Sequence, residues 1–393
     1  MNVQSTRGLV PGVSLAAAAA CTLALAACGS SSSNSGSASA DPAGTTTAAA
    51  AKATSTTTPW CGTKPITLGI QDGGGLNGWS KSSLEQVQLE AKKCPAIKKT
   101  IVVNAGFDLQ KAISGTNSLV AQGANAIVII PDAGGPAELA GIRAATARGV
   151  KVVPWGSDPG GTPGKDYVTY VDWDPKAAGA TWATWLAKSM KDKGNVIYLG
   201  GPAGNAVDKG ELAGVLETFK QHPNIKLLTG TSANSWPVTN WDPAQTQKVM
   251  SGLLTRYPKI DGILMGDGQS SAAVVKVLKA AGRPIPPVAT LEANQVACTW
   301  KSMNSGATGF DLATISGRNW MGRLAVRKAV AAVNGIPNTE KSIISLPLFE
   351  DSVAGGNLAP HCDSTRPPDA YMSNDLLSQA TLNGLTGAAA GAE

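Results

Sequence analysis

The residues best placed to do chemistry gather where apolar runs end. The stretch from Ile66 to Trp79 reads Ile-Thr-Leu-Gly-Ile-Gln-Asp-Gly-Gly-Gly-Leu-Asn-Gly-Trp, a buried run passing into a glycine-rich loop. Gly73, Gly75 and Gly78 match the G-x-G-x-x-G spacing with which dinucleotide-binding turns approach a pyrophosphate. Such a turn also wants an acid about 20 residues further on. Here the next strand ends at Asn104 and Asp108 comes later still, so the spacing reads as a coincidence. The competing reading makes the loop one lip of a small-molecule cleft. Tryptophan supports it: there are 10 Trp against 4 Phe, and Trp79, Trp155, Trp173 and Trp241 all fall just past expected strand ends. A loop tryptophan either lids the edge of an apolar core or offers a flat face to a ligand. Four together favour stacking. Trp182 and Trp185, three apart on an expected helix, read as core.

Several sharper chemistries are excluded. The chain has no G-x-x-x-x-G-K-[ST] phosphate loop, and Gly230-Thr231-Ser232-Ala233-Asn234 lacks the closing glycine of a nucleophile elbow. Its two histidines, His222 and His361, are too far apart for a triad or a metal trio. No cofactor and no metal are expected. Lys and Arg total 33 against 27 Asp and Glu, spread without a basic stripe, which argues against nucleic acid as a partner.

The elements that position these residues form a repeating series. Ile66 opens a strand, followed by a helix over about 80–93, a strand at 100–104, a helix over 109–122 and a strand at 126–130 ending in Pro131-Asp132. A helix over 135–148, a strand at 151–155 and a further strand at 167–171 complete the first set. The rhythm restarts with strands at 195–200, 226–231, 262–265 and 288–291, separated by helices ending near His222 and covering 242–257 and 270–281. A helix over 318–334 and a strand over 343–349 lie beyond. Continuous apolar runs alternating with amphipathic helices indicate parallel sheets covered on both faces. A series that runs, breaks and runs again implies two α/β units. The residues from Leu382 to Glu393 are small and polar and are expected to fray.

The N-terminus reads as targeting rather than fold. Arg7 supplies a positive region and Leu9 to Ala27 an apolar run, ending in Leu25-Ala26-Ala27-Cys28-Gly29. This resembles the bacterial lipoprotein signal, which implies a signal peptide over 1–27, with Cys28 the lipidated first residue of the mature protein. Residues 28–59 are almost entirely Ser, Ala, Thr, Gly and Asn, the composition of a disordered tether. Four cysteines remain, Cys61, Cys94, Cys298 and Cys362, which allow three pairings. A βαβ unit brings Cys61 and Cys94 to one sheet edge. Cys298–Cys362 then pins the C-terminal tail to the second unit.

The order of segments from Ile66 to about Phe349 resembles the ribose-type periplasmic substrate-binding proteins of ABC importers. The phrases that carry the likeness are Ser118-Leu119-Val120-Ala121-Gln122-Gly123-Ala124-Asn125-Ala126-Ile127 followed by Ile129-Ile130-Pro131, then Gly149-Val150-Lys151-Val152-Val153-Pro154, then Asp261-Gly262-Ile263-Leu264-Met265-Gly266-Asp267-Gly268. The resemblance implies an α/β fold of two doubly wound parallel-sheet lobes joined by a three-strand hinge, with the ligand cleft between them. Lobe one would take 60–171 with 318–340, lobe two 172–316 with 341–360, and the tail 361–393. Hinges would fall near 171–173, 314–318 and 335–345.

Carried over one by one, the resemblance makes Asn77 and Trp79 the polar and aromatic ligand contacts of the first loop. Ser157 and Asp158 follow the fourth strand, where an acid commonly grips adjacent hydroxyls. Lys209 stands where relatives often carry an arginine, Trp241 for a phenylalanine, Asp267 for an asparagine or aspartate and Glu292 for an aspartate. Trp173 and Arg318 lie at hinges, and the glutamine relatives often carry near 316–318 is missing. A neutral sugar, with a ring of hydroxyls and apolar C–H faces, suits such a set. The expectation is a monomeric, lipid-anchored, extracytoplasmic binding protein that closes on a small polar ligand and hands it to ABC permease subunits. Its alternatives are a surface receptor for a sensor kinase, or an anchored glycoside hydrolase using Asp158 and Glu292.

Overall fold

The computed structural model describes residues 58–387 apart from Leu76, Ala307 and Thr308. The expected signal peptide, Cys28 and nearly all of the expected tether lie outside the described residues. Twelve strands follow one another: β1 (Ile66–Asp72), β2 (Ile97–Asn104), β3 (Ala126–Ile130), β4 (Lys151–Pro154), β5 (Asp172–Trp173), β6 (Gly194–Leu199), β7 (Ile225–Leu227), β8 (Gly262–Met265), β9 (Val288–Leu291), β10 (Leu312–Ile315), β11 (Ile343–Ile344) and β12 (Leu348–Asp351). They form a four-stranded sheet in the order β2-β1-β3-β4 and a six-stranded sheet in the order β12-β10-β9-β8-β6-β7. All pairs within them are parallel except β10 with β12. A short third sheet pairs β5 with β11, Asp172 beside Ile343 and Trp173 beside Ile344.

The two large sheets share one winding: each starts on an inner strand, steps outward once, then returns to the other side. Strands covered on both faces must be apolar throughout, and β3 (Ala-Ile-Val-Ile-Ile) and β8 (Gly-Ile-Leu-Met) are buried at every position. Helices start where the sequence supplies a cap. Asn77, Asp108, Asp174, Asn205, Asp242 and Asp267 each accept a backbone N–H from the first turn of the helix that follows, each worth about 1 kcal/mol. Pro175 and Pro243 occupy first positions, where their missing N–H costs nothing.

The strand expected over 226–231 is cut short at Ile225–Leu227, and the structure departs from the sequence reading more substantially in four other places. Residues 167–171 are not a strand; Val171 makes a lone bridge to Trp155, and pairing begins one residue later in β5. The strand expected over 343–349 is two, β11 at the hinge and β12 on the edge of the larger sheet. A helix at Asn294–Asn304 was missed because Ala293 before it offers no capping side chain. Gln379–Thr386 is a helix rather than a frayed end, with Leu382 only 6% exposed in the core that holds Trp320 and Leu324. Disulfides join Cys61 to Cys94 and Cys298 to Cys362, the pairing expected.

Candidate ligand-binding cleft

In open α/β sheets ligands bind beyond the carboxyl ends of the strands, where the winding reverses. A cleft lies there, its walls bounding about 500 Å³ with the adjoining open solvent included. Each of its walls is a residue past a strand end. Asn77, Trp79 and Ser80 follow β1, Phe107 follows β2 and Asp132 follows β3. From the other sheet come Val207 after β6, Trp241 after β7, Gly266 and Asp267 after β8, Leu291 at the end of β9 and Arg318 after β10.

The glycine-rich loop spends its amides on itself. Gly74 N and Gly75 N both donate to Asp72 Oδ1 at 3.0 Å, and Gly73 N donates to Ile130 O. Amides turned onto a buried carboxylate cannot cradle a phosphate, so the dinucleotide spacing has no counterpart in geometry. Gly73 is required instead by a close approach, since a Cβ there would fall 2.5 Å from Ile130 O. The loop's product is the orientation of Asn77 and Trp79. Asn77 caps the helix through Ser80 N at 2.9 Å, and Trp79 Nε1 donates to Gly317 O at 2.7 Å.

Arg318 is the centre of the charge arrangement. Its guanidinium lies between two tryptophan faces, 5.0 Å from the Trp79 ring centre and 4.9 Å from that of Trp173. It donates to Gly156 O and to Asp172 Oδ1, each at 3.2 Å, and both ion-pair partners are almost fully buried. Its backbone is left-handed, φ +57°. The arginine therefore ties the hinge crossing after β10 to the end of β4 and to β5 while facing the cleft.

Asp132 stands opposite. Its Oδ1 is enclosed and without a partner, and Ser157 hydrogen-bonds its carboxyl. Burial pushes its pKa up to about 7, against the opposing pull of Arg318. Asp267 accepts from Ser270 N at 3.0 Å, so its carboxylate caps a helix and lines the cleft at once. Burial raises its pKa too. Behind Gly266 lies a sealed trio in which Tyr198 donates between Asp208 and Glu211, at 3.1 and 2.8 Å. Burial pushes Asp208 up to about 7 and raises Glu211 well above its ordinary value, with the Asp208 charge adding to the rise in Glu211.

Of the residues expected at the site, Asn77, Trp79, Trp241, Asp267 and Arg318 meet in this cleft. Ser157 is one layer behind, on Asp132. Trp173 is buried behind Arg318 and stacks edge-on against Trp182 at 5.9 Å, a hinge residue rather than a ligand face. Three more lie away from the lining of this cleft. Lys209 is exposed on its helix, two residues past the cleft-lining Val207 and on another face. Asp158 is exposed and closes a local turn by accepting Gly160 N at 2.7 Å. Glu292 is buried, but both of its oxygens are taken by Gly317 and Ser373. The carboxyl pair proposed for a hydrolase, Asp158 with Glu292, is therefore not assembled at the cleft.

Sequence reasoning missed Asp132 and Phe107. Asp132 had a usable signal, an acid directly after an apolar strand and its proline. Phe107 had little, since its place depends on a left-handed backbone at φ +61°. Among the described residues no group of three or more His, Cys, Asp or Glu could hold a metal, and no helix is long and apolar enough to cross a membrane.

Comparison with known proteins agrees with this fold. The family model described as periplasmic binding protein domain matches residues 74–337. The xylitol-binding protein of Mycolicibacterium smegmatis is 26% identical over 190 residues, 48% of this chain and 52% of the relative. The D-apiose import binding protein of Paraburkholderia graminis is 25% identical over 186 residues, 47% of this chain and 56% of the relative. The chain thus aligns with about half the length of these curated relatives. Among solved structures, the binding component of the arabinose ABC transporter from a Shewanella species superposes with TM-score 0.62 at 20% identity, over 72% of this chain and 91% of that one. An ABC transporter solute-binding protein from Thermobispora bispora gives TM-score 0.62 at 22% identity, over 78% and 90%. Sheet winding, hinge and matched span agree, and the chain belongs to the periplasmic binding protein family.

Proposed function

We propose that this protein captures a small polyhydroxylated ligand, a monosaccharide or sugar alcohol, between its lobes and delivers it to an ABC permease. The observation that carries the reading is the make-up of the cleft. Trp79, Phe107 and Trp241 supply aromatic faces, while Asn77, Asp132, Asp267 and Arg318 supply acceptors and donors at the same opening. Aromatic faces suit the C–H surfaces of a sugar, and carboxylates accept from adjacent hydroxyls. The relatives' names, xylitol- and D-apiose-binding, point to the same ligand class. Closure follows if ligand binds the closed form better than the open one. Monomeric protein anchored through a lipid on Cys28, after removal of residues 1–27, would work from the outer face of the membrane on the tether 28–59. The Leu25-Ala26-Ala27-Cys28 sequence supports that anchoring.

Tryptophan fluorescence titrated with pentoses, hexoses and sugar alcohols tests the reading. Saturable quenching with the sugar recovered unchanged is the expected result, and release of a new product with time would overturn it. Substituting Cys28→Ser should shift the protein from the membrane fraction to the medium. A sensor role is the second reading, since a fructose-binding periplasmic domain of a hybrid two-component system has the same fold, TM-score 0.60. Uptake of labelled ligand lost on deletion of the gene distinguishes transport from sensing.

A further inference from the structure

The last 27 described residues have no part in either sheet, yet they touch both. Cys362 is bonded to Cys298 on the helix Asn294–Asn304, beside the larger sheet. That helix has no side-chain cap of its own, and the C-terminal segment supplies one from its backbone. Asn294 N donates to Ala370 O and Gln295 N to Pro368 O, both at 2.9 Å. The Asn294 side chain donates to Asp363 O, Arg366 O and Pro367 O and accepts Asp363 N. These are the orphan groups any helix start must satisfy, so the segment is built into the second lobe at this end.

Its other end belongs to the first lobe. Asn374 Nδ2 donates to Ser82 Oγ at 2.8 Å, on the helix Gly78–Lys92 that carries the cleft residue Trp79 in its first turn. Arg323 donates to Asn374 O, and Leu382 is buried against the helix Met321–Asn334. Between the two ends Asp369 lies against Gly78, where a Cβ would meet its Cβ at 2.4 Å. Tyr371 covers Gly317. Ser373 sits on Glu292, which accepts Ser373 N on one oxygen at 2.9 Å and both the Ser373 hydroxyl and Gly317 N, at 2.8 Å, on the other. Gly317 O in turn accepts Trp79 Nε1, and Ser316 Oγ bonds Ser373 Oγ and accepts Arg318 N.

We propose that residues 361–387 form a disulfide-anchored strap across the two lobes beside the cleft, and that Glu292 is the positioning residue through which it holds Gly317, and with it Trp79 and Arg318. The hinge crossings at 172–173 and 343–344 pair as β5 and β11; the crossing at 316–319 has no strand partner and is held by the strap. Opening the lobes must lengthen the span from Cys298 to Ser82, so the strap limits how far they part. Release of its lobe-two anchor should loosen the hinge and the cleft wall together, while leaving each sheet intact. The link to a ligand wall rests on the function proposed above; the strap itself does not.

Hydrogen exchange on the whole, ligand-free protein tests the strap without any sugar. In a Cys298→Ala, Cys362→Ala double variant, exchange should rise about tenfold or more at 361–374, at 316–319 and at Trp79, the equivalent of one lost buried hydrogen bond. Exchange in β3 should not change. Faster exchange confined to 361–374, with the hinge and Trp79 as before, would overturn the proposal. Should that variant fail to fold, Ser373→Ala with Asn374→Ala leaves the disulfide and makes the same comparison. Glu292→Gln should raise the dissociation rate of a bound monosaccharide about tenfold while the exchange of β8 stays fixed; an unchanged rate removes Glu292 from the positioning role. A protein that bound no sugar would fail only that last measurement, which separates this proposal from the preceding one.

Discussion

Arg318 offers the deepest test, because its side chain and its backbone make separate contributions that substitutions can divide. Replacing it with Met keeps much of the apolar stem between Trp79 and Trp173 but removes the charge. Asp172, 1% exposed, would then hold an unpaired buried carboxylate with Tyr170 and Trp173 N as its remaining donors. Breaking a buried pair from one side costs about 3–5 kcal/mol, and two lost cation–π contacts add roughly 1 kcal/mol each. Arg318→Met is therefore expected to lower unfolding free energy by about 5–7 kcal/mol before Asp172 protonates to relieve it. Adding Asp172→Asn should restore a large part of that loss. Comparing Arg318→Ala with Arg318→Gly isolates the backbone: both lack the side chain, but only alanine must hold φ +57°, so glycine should be more stable by about 1–2 kcal/mol. Urea denaturation of the four variants at pH 7.5 reads all of these. A loss under 1 kcal/mol for Arg318→Met, or alanine at least as stable as glycine, would refute the account of this residue.

Further outcomes follow from the cleft. The pKa of Asp132 is raised to about 7, and its ionised form is the stronger acceptor; sugar affinity should therefore rise between pH 6 and 8, and Asp132→Asn should flatten the profile in fluorescence titrations. Glu292, also raised to about 7 from 4.5, keeps its proton in the folded state where the unfolded chain has lost it. Its contribution is fully present below about pH 4.5 and is lost as pH rises towards 7, by up to roughly 3 kcal/mol, and Glu292→Gln should remove that slope from urea midpoints measured across the window. Lys209→Ala and Asp158→Ala, outside the cleft, should leave the dissociation constant within about twofold, whereas Trp241→Ala should weaken binding at least about tenfold; isothermal titration with the sugar found in the fluorescence panel decides.

The sequence by itself determined the class of the fold, because strand and helix periods and caps are local. Continuous apolar runs such as Ala126–Ile130 can only be strands covered on both faces, and Asn77, Asp108 and Asp267 announce their helices through bonds made within three residues. Five of the residues it singled out line the cleft, since a residue just past a strand end in such a fold lies near the crevice. Tertiary structure decided what depends on partners distant in the chain. Asp158 and Lys209 stand at equally good sequence positions, but one closes its own turn and the other points to solvent. Glu292 sits at a strand end as Asp267 does, yet a segment some eighty residues later claims both of its oxygens. The helix Asn294–Asn304 carries no cap in its own sequence, and its first amides are satisfied by carbonyls of that same segment. A buried carboxylate or an orphan amide is settled by whichever group packs against it, and no local pattern records which one that will be.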